Sequence, residues 1–333
     1  MSSFFTSAGT VIRSLLSLVS VLSLLISGYA AGDMPSSQRP SLESQAVEDI
    51  MSIVLVNKFA TEQDVLDNIE SSRIKNEEFE IPKEYIALYS LETYEFDGVD
   101  IAVYNAKSTT GKYIFYFCGG AYVDPPLLFH WTFLDRLSRG TDATVIMPVY
   151  LKGPDYTYRE SYANSLALYE KLLEYIPAED ITFMGDSAGG SYALSLAIQA
   201  RDALLPLPGN IVMFSPWVDM TMSNPEIPYY ESIDPMIVTY GVRMKGETFA
   251  GDTPLDSYIL SPINADLSGL PDMMLFVGTK EVLLPDCRLF RDKALSEGAT
   301  LDYYEYEDML HTFPIFPIPE SDEVIEIINE KIN

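Results

Sequence analysis

Short apolar segments alternate with helix-forming stretches from about residue 112 to the C-terminus. Segments 160–176, 191–204, 286–298 and 321–332 have helical spacing. The strand-like runs between them are "KYIFYF" (112–117), "ATVIMPVY" (143–150), "ITFMG" (181–185), "NIVMFSP" (210–216), "MMLFVG" (273–278) and "LDYYEYE" (301–307). Strands that are continuously apolar are buried on both faces. The pattern therefore predicts an α/β fold with a mostly parallel central sheet and helices on both faces.

The pattern differs outside this alternating region. Residues 33–42 resemble a linker, and residues 43–76 have helical spacing. We predict strands over Ile86–Phe96 and Ile101–Ala106. The segment from Asn224 to about Pro262 is rich in Pro, Tyr and Met and interrupts the alternation, which indicates an insertion over the sheet.

The first 32 residues have the layout of a secretory signal. Arg13 precedes an apolar run from Ser14 to Ile26, and Gly28 and Ala30 are spaced like a cleavage site. We predict a signal peptide or an uncleaved membrane anchor, and hence a secreted or cell-surface protein. The alternatives for localisation are a cytoplasmic or a membrane-anchored protein. The alternative interpretation of the segment itself is the first helix of a lid domain.

Composition excludes several classes of function. The chain has 333 residues, a formal charge of −28 and an apolar content of 47%. Such acidity disfavours nucleic acid and anionic membrane surfaces as partners. The two cysteines, Cys118 and Cys287, are too few for a disulfide framework and form no zinc motif. We therefore expect a globular protein with no metal and no organic cofactor.

A sharp turn is predicted where "GDSAGG" (185–190) joins an apolar strand to a helix. A Gly-x-Ser-x-Gly motif in this context is typical of a nucleophile elbow, which exposes the serine at the end of the strand. The following helix N-terminus favours developing negative charge. The alternative explanation of these glycines is close packing or a phosphate-binding turn, although the usual nucleotide-binding patterns are absent. We predict Ser187 as the nucleophile.

A serine nucleophile requires a base and an orienting carboxylate, and the chain has only two histidines. His311 lies on a loop after a late strand, whereas His130 lies between apolar residues on a predicted helix, where packing or pocket lining is expected. Glu281 directly follows the strand "MMLFVG", and Asp286 resembles the N-cap of the next helix. The chain order Ser187, Glu281, His311 is the order typical of this kind of site.

A negatively charged oxygen that forms during acyl transfer requires backbone N–H donors. The sequence "CGGA" (118–121) follows an apolar strand and leaves its backbone accessible, although a purely structural turn is the alternative. We predict that Gly119, Gly120 and Ala188 form the oxyanion hole.

Together these motifs resemble the hormone-sensitive-lipase-like esterases of the α/β-hydrolase superfamily over roughly residues 82–316. The elbow "GDSAGG" matches the family motif in full, and segments beginning at Val149, Phe214 and Leu270 resemble further family motifs. Three positions depart from the family pattern, because Cys118 and Ala121 replace a histidine and a glycine of "HGGG" and Glu281 replaces the commoner aspartate.

The resemblance implies an α/β-hydrolase fold with a helical cap. The cap would consist of N-terminal helices within residues 33–80 and an insertion near 225–260, with residues 81–333 forming the hydrolase domain. It also implies a serine esterase that acts on a small-molecule ester of short-to-medium acyl chain, or on a small lactone. The oligomeric state is left open.

The pocket residues and the activity have alternatives at this stage. The candidates to line an apolar pocket are Tyr122, Trp131, Trp217, Tyr229 and Tyr230. Aromatic residues at such spacings also occur simply as core. A non-catalytic small-molecule-binding protein on the same fold is one functional alternative, and an amidase or formamidase with the same residues is the other.

Overall fold

The computed structural model of the protein describes residues 40–55 and 61–333, so the predicted signal or anchor segment lies outside the described residues. An eight-stranded sheet has the order β1-β2-β4-β3-β5-β6-β7-β8. Seven strands run in the same direction, and β2 runs in the opposite direction. The strands are β1 Glu92–Phe96, β2 Val99–Tyr104, β3 Tyr113–Phe117, β4 Thr144–Pro148, β5 Ile181–Asp186, β6 Asn210–Phe214, β7 Asp272–Lys280 and β8 Leu301–Leu310. The predicted mostly parallel sheet is confirmed.

Helices cover both faces of this sheet, as predicted. They are α1 Leu42–Leu55, α2 Glu62–Glu77, α3 Lys83–Tyr89, α4 Leu128–Thr141, α5 Tyr158–Leu173, α6 Ala188–Asp202, α7 Ile227–Glu231, α8 Thr239–Ala250, α9 Leu284–Ser296 and α10 Pro319–Ile332. Successive residues of a strand point to opposite faces. In β3, Phe115 and Phe117 join a core with α5 and α6, whereas Ile114 and Tyr116 join a core with α4 and α10.

One predicted strand is wrong at its start. Residues 86–89 belong to helix α3, and the strand begins only at Glu92. Tyr85 and Tyr89 lie one helical turn apart with ring centroids separated by 5.9 Å, and Tyr85 also packs on Trp131. Spacing by four residues places both rings on the side that faces the core. Helix α3 ends where Ser90 adopts a left-handed conformation.

Two helices from distant parts of the chain meet above the loop that follows β3. Helix α2 contacts α8, which belongs to the inserted segment. Val65 and Ile69 of α2 form a small cluster with Val123 and Met244. None of the helices in the described ranges has both the length and the apolar character that crossing a membrane requires.

The sheet brings the predicted functional residues to one edge. The carboxyl ends of parallel strands lie on the same edge of a sheet, where α/β proteins commonly place their sites. The loop containing Gly119 follows β3, Ser187 follows β5, and Glu281 follows β7. Because β3, β5, β6 and β7 are adjacent, segments distant in sequence converge there.

Candidate active site

Ser187 occupies the tight turn between β5 and α6. Its φ of 53° and ψ of −123° are strained for a residue with a side chain. A Cβ at Gly185 would collide with the backbone of Gly189, and a Cβ at Gly189 would collide with the backbone of Phe117. Both positions therefore require glycine. The Ser187 N–H donates to the carbonyl oxygen of Phe214 at 2.8 Å, which fixes the turn to the end of β6.

His311 and Glu281 are hydrogen bonded to each other, as the sequence predicted for a base and its orienting acid. Nδ1 of His311 lies 2.7 Å from Oε2 of Glu281, and Glu281 is fully buried. The other oxygen, Oε1, accepts from the Ser215 hydroxyl at 2.7 Å and from the Gly278 N–H at 2.8 Å. An acceptor-only carboxylate fixes Nδ1 as the protonated ring nitrogen.

Ser215 connects Glu281 to the segment that carries His311, and the sequence did not predict this role. Its hydroxyl donates to Glu281 and accepts from the N–H of Thr312 at 3.0 Å. Ser215 directly follows Phe214, which holds the Ser187 turn. The end of β6 therefore connects the predicted nucleophile to the other two residues. A serine in the "FSPW" segment was the only signal in the sequence.

The electrostatic surroundings of His311 favour its protonated form. Burial lowers the pKa of the imidazole, but the hydrogen bond and charge of Glu281 act in the opposite direction. The charges of Asp234 and Asp186 add to this effect, so that the pKa of His311 is raised above its ordinary value.

Asp234 brings a second carboxylate to the site from the inserted segment. Its Oδ2 accepts from the N–H of Val282, the residue after Glu281, at 2.9 Å. Its Oδ1 accepts from the N–H groups of Met236 and Ile237. Loss of solvation raises the pKa of Asp234 to about 6, although the charge of His311 and these hydrogen bonds oppose the rise. Nothing in the sequence distinguished Asp234 from other acidic residues.

The structure changes the predicted set of oxyanion donors. The Gly119 N–H donates to Oδ1 of Asp186 at 3.0 Å, so its single proton is already used. In the described part of the chain, the N–H groups of Gly120, Ala121 and Ala188 have no hydrogen-bond partner. Gly120 and Ala121 have φ values of 115° and 50°. The available donors are therefore Gly120, Ala121 and Ala188, and Gly119 acts as an anchor of the loop.

Asp186 is the residue that holds this loop. Besides Gly119, its Oδ1 accepts from the Tyr116 hydroxyl at 2.8 Å, and its Oδ2 lies 3.1 Å from Nε2 of His130. Nδ1 of His130 accepts from the Leu127 N–H, so Nε2 carries the proton and donates to Asp186. Burial raises the pKa of Asp186, but His130 and the other donors outweigh burial and leave the pKa lowered. The sequence predicted only packing or pocket lining for His130.

Cys118 packs behind the loop, away from solvent. Its Sγ lies 3.4 Å from Sδ of Met147, and its carbonyl oxygen accepts from the Tyr150 hydroxyl at 2.8 Å. Burial raises the pKa of the Cys118 thiol well above its ordinary value. The side chain therefore fills core space as a neutral thiol, and its backbone holds the loop from the side opposite to Asp186.

Two of the five predicted pocket aromatics, Tyr122 and Trp217, lie together next to the elbow. Tyr122 stacks on Phe249 with ring centroids 4.5 Å apart, and on Trp217 at 5.7 Å. The backbone N–H of Trp217 donates to the Ser187 carbonyl oxygen at 3.1 Å. The structure places Trp131 in the core on the other face of the sheet, where it packs on Tyr85. Trp131 therefore does not belong to this wall.

Three other predicted residues lie outside the site. Asp286 is not an N-cap, because it lies within the first turn of α9, where it is buried and accepts from Asn224 at 2.7 Å. The Tyr230 hydroxyl accepts from Arg288 at 3.0 Å, and Tyr229 is 65% exposed.

Within residues 40–55 and 61–333, no three His, Cys, Asp or Glu side chains are grouped to hold a metal ion.

Comparisons with known proteins agree with this architecture. The family described as the alpha/beta hydrolase fold matches residues 114–315. An acetyl-hydrolase of Streptomyces hygroscopicus is 29% identical over 220 residues, covering 65% of this chain and 74% of the relative.

Two solved structures are similar over most of the chain. A putative esterase from Staphylococcus aureus has a TM-score of 0.79 and 29% identity, covering 84% of this chain and 98% of that one. The hormone-sensitive-lipase homologue EstE7 from a metagenome library has a TM-score of 0.74 and 25% identity, covering 87% and 97%. These similarities confirm the predicted resemblance to hormone-sensitive-lipase-like esterases.

Proposed function

The chain belongs to the α/β hydrolase family and is a carboxylic ester hydrolase, for which we propose a mechanism with Ser187 as the nucleophile. The observation that carries this assignment is the 2.7 Å hydrogen bond between His311 and Glu281 at the sheet edge that also holds the strained Ser187 turn. A buried imidazole paired with a buried carboxylate is the standard means of activating a serine.

The first half of the reaction follows from the protonation of His311. Because Nδ1 donates to Glu281, Nε2 is free to take the Ser187 hydroxyl proton as Oγ attacks the ester carbonyl carbon. The tetrahedral intermediate collapses, the bond to the alcohol oxygen breaks, and His311 returns the proton to the departing alcohol. Ser187 then carries the acyl group.

The second half repeats these steps with water. His311 accepts a proton from a water molecule, which attacks the acyl carbon and releases the acid and free Ser187. In both halves the oxyanion receives hydrogen bonds from the N–H groups of Gly120, Ala121 and Ala188, the last at the N-terminus of α6. Each donor lies on backbone that is held by buried hydrogen bonds, so little reorganisation accompanies the reaction.

The substrate we propose is an ester with a short-to-medium acyl chain, or a small lactone. The support is the cluster of Tyr122, Trp217 and Phe249, three stacked aromatic residues with at most 2% exposure, and we propose that this cluster bounds the apolar space for the acyl chain. We further propose that α2, α7 and α8 form a cap over this space, since α2 and α8 pack on each other above the oxyanion loop.

We also propose that residues 1–32 direct the protein to the cell exterior or anchor it in a membrane. The support is the sequence alone, with Arg13 followed by the apolar run from Ser14 to Ile26. N-terminal sequencing of the mature protein tests this, because a chain found in the cytoplasm with an intact Met1 would overturn it.

The two alternative functions differ in what they require of the site. A non-catalytic binding protein does not need the His311–Glu281 hydrogen bond, so this bond argues against that alternative. An amidase or formamidase uses the same residues and differs only in the pocket. Including p-nitroacetanilide and a formamide among the substrates separates amide from ester cleavage.

The test is hydrolysis of p-nitrophenyl esters from acetate to laurate by the full chain and by Ser187→Ala. We expect turnover by the wild type and a loss of about 10⁴-fold or more in the variant. Ser195→Ala is a matched control, because it removes another buried serine hydroxyl from the same helix, two turns further on. Equal activity in the wild type and Ser187→Ala would refute Ser187 as nucleophile.

A further inference from the structure

The short segment after the oxyanion loop is held by two helices that contribute no residue to the proposed chemistry. Oδ1 of Asp124 accepts from the Ser72 hydroxyl of α2 at 2.6 Å. Oδ2 of Asp124 lies 2.7 Å from Nζ of Lys245 in α8. One carboxylate therefore binds two of the three helices proposed as the cap, α2 and α8, which lie far apart in sequence.

Asp124 is also part of the oxyanion loop's own hydrogen bonding. Its N–H donates to the Gly120 carbonyl oxygen at 2.8 Å, and the Val123 N–H donates to the same oxygen at 3.0 Å. A Cβ at Gly120 would lie 2.9 Å from the Asp124 carbonyl oxygen, which shows how closely the two residues pack. Any movement of Asp124 therefore moves the backbone of Gly120 and, with it, the Ala121 N–H.

The burial of these groups makes the connection stiff. The side chain of Lys245 is only 3% exposed and that of Asp124 is 22% exposed, so separating the ammonium from the carboxylate would leave a buried charge. A second contact runs in parallel, because Nδ2 of Asn76 in α2 donates to the Val123 carbonyl oxygen at 2.7 Å. Apolar packing of Val65 and Met244 surrounds Val123.

We propose that Asp124 is a positioning residue that couples the seating of α2 and α8 to the geometry of the oxyanion hole. When both helices are seated, Ser72 and Lys245 hold Asp124, and Asp124 holds Gly120 with its N–H aimed at the reacting oxygen. When either helix shifts, the loop relaxes and the oxyanion loses its donors. This inference rests on the proposed function, since it assigns the oxyanion hole to residues 120 and 121.

The experiment compares four variants of the full chain: Lys245→Met, Lys245→Arg, Ser72→Ala and Arg243→Met. Arg243 lies on the same helix as Lys245 and forms an exposed ion pair with Glu247, so its variant is a matched control for losing a cation. Two quantities are measured: kcat and KM on p-nitrophenyl acetate, and amide hydrogen exchange in peptides covering residues 118–124.

We expect Lys245→Met to accelerate exchange at residues 118–124, although the substitution lies more than a hundred residues away. We also expect kcat to fall by about tenfold with KM little changed, less than the roughly 10²–10³-fold loss for removing an oxyanion donor outright. Ser72→Ala should act in the same direction but more weakly, Lys245→Arg should restore both readouts, and Arg243→Met should alter neither.

Unchanged exchange and unchanged kcat in both Lys245→Met and Ser72→Ala would overturn the coupling. If Lys245→Met does not fold, Ser72→Ala decides, because removing one hydroxyl leaves the charged pair in place. If the wild type hydrolyses no ester, the proposed function fails, whereas the exchange measurements still decide whether α8 is linked to the loop.

Discussion

Nε2 of His130 lies 3.1 Å from Oδ2 of Asp186, and both side chains are at least 97% buried. Asp186 also accepts from the Gly119 N–H, so it connects His130 of helix α4 to the oxyanion loop at the sheet edge. We call this connection the brace. The residue beside the predicted nucleophile therefore has a structural task, which explains why an acidic side chain occupies the "GDSAGG" motif.

The first prediction concerns this brace. Asp186→Asn should lower kcat by roughly 10²-fold with a small change in KM, because the loop that carries the donors loses its anchor. Steady-state kinetics on p-nitrophenyl acetate measures both parameters. Tyr116→Phe removes only one donor to Asp186 and is the matched control, for which a much smaller loss is expected.

Removing the other partner should mainly affect stability. His130→Ala removes the donor to the buried Oδ2 of Asp186 and should lower the free energy of unfolding by about 3 kcal/mol. Urea denaturation followed by tryptophan fluorescence measures this. A His130→Ala variant as stable as the wild type would show that His130 contributes nothing to the brace.

The second prediction concerns pH. The neutral form of His311 is the active base, so activity should rise with pH through a pKa above the ordinary histidine value. Asp234→Asn removes a negative charge that favours imidazolium, so it should lower this pKa and move the acid limb of the kcat/KM profile to lower pH. Full pH profiles of the wild type and the variant test the shift.

The direction of this shift is the critical outcome. If the Asp234 carboxylate acts on His311, its removal must move the acid limb of the kcat/KM profile to lower pH. An acid limb that stays in place or moves to higher pH would show that Asp234 does not act on the base. Glu231→Gln is a suitable control, since it removes a nearby negative charge whose side chain bonds the Thr239 N–H instead.

The third prediction concerns the aromatic wall. Trp217→Leu should extend the range of hydrolysed p-nitrophenyl esters towards longer acyl chains, because it shortens the side chain that stacks on Tyr122, the residue after the oxyanion loop. Measured kcat/KM values from acetate to laurate give the profile. Phe133→Leu is the control, since Phe133 is equally buried but packs on the opposite face of the sheet. An identical profile in both variants would show that Trp217 does not limit the acyl chain.

The fourth prediction concerns the two thiols. Cys118 and Cys287 are free and buried, and burial raises the pKa of each thiol. Neither should react with a thiol-specific disulfide reagent in the native protein, and both should react once the chain is unfolded in urea. Rapid labelling of one thiol in the folded protein would contradict the buried position of that cysteine.

The sequence by itself determined the sheet and the elbow, and it was enough to predict Ser187, Glu281 and His311 as nucleophile, acid and base. Continuously apolar strands have only one stable environment, a sheet covered on both faces, and Gly185 is required by a collision with Gly189 inside the same motif. The acid and the base could be predicted because the chain has only two histidines and because Glu281 and His311 each follow a strand that ends at the same edge of the sheet.

Only the tertiary structure decided how the donors and supports are arranged. Whether Gly119 points at a substrate or at Asp186, and whether Trp131 faces the pocket or the opposite core, depends on contacts between segments far apart in sequence. The same is true of His130, Asp124 and Asp234, each of which has a hydrogen-bond partner between 48 and 121 residues away. Local patterns encode burial and turns, whereas the pairing of buried polar groups is fixed only when the chain has packed.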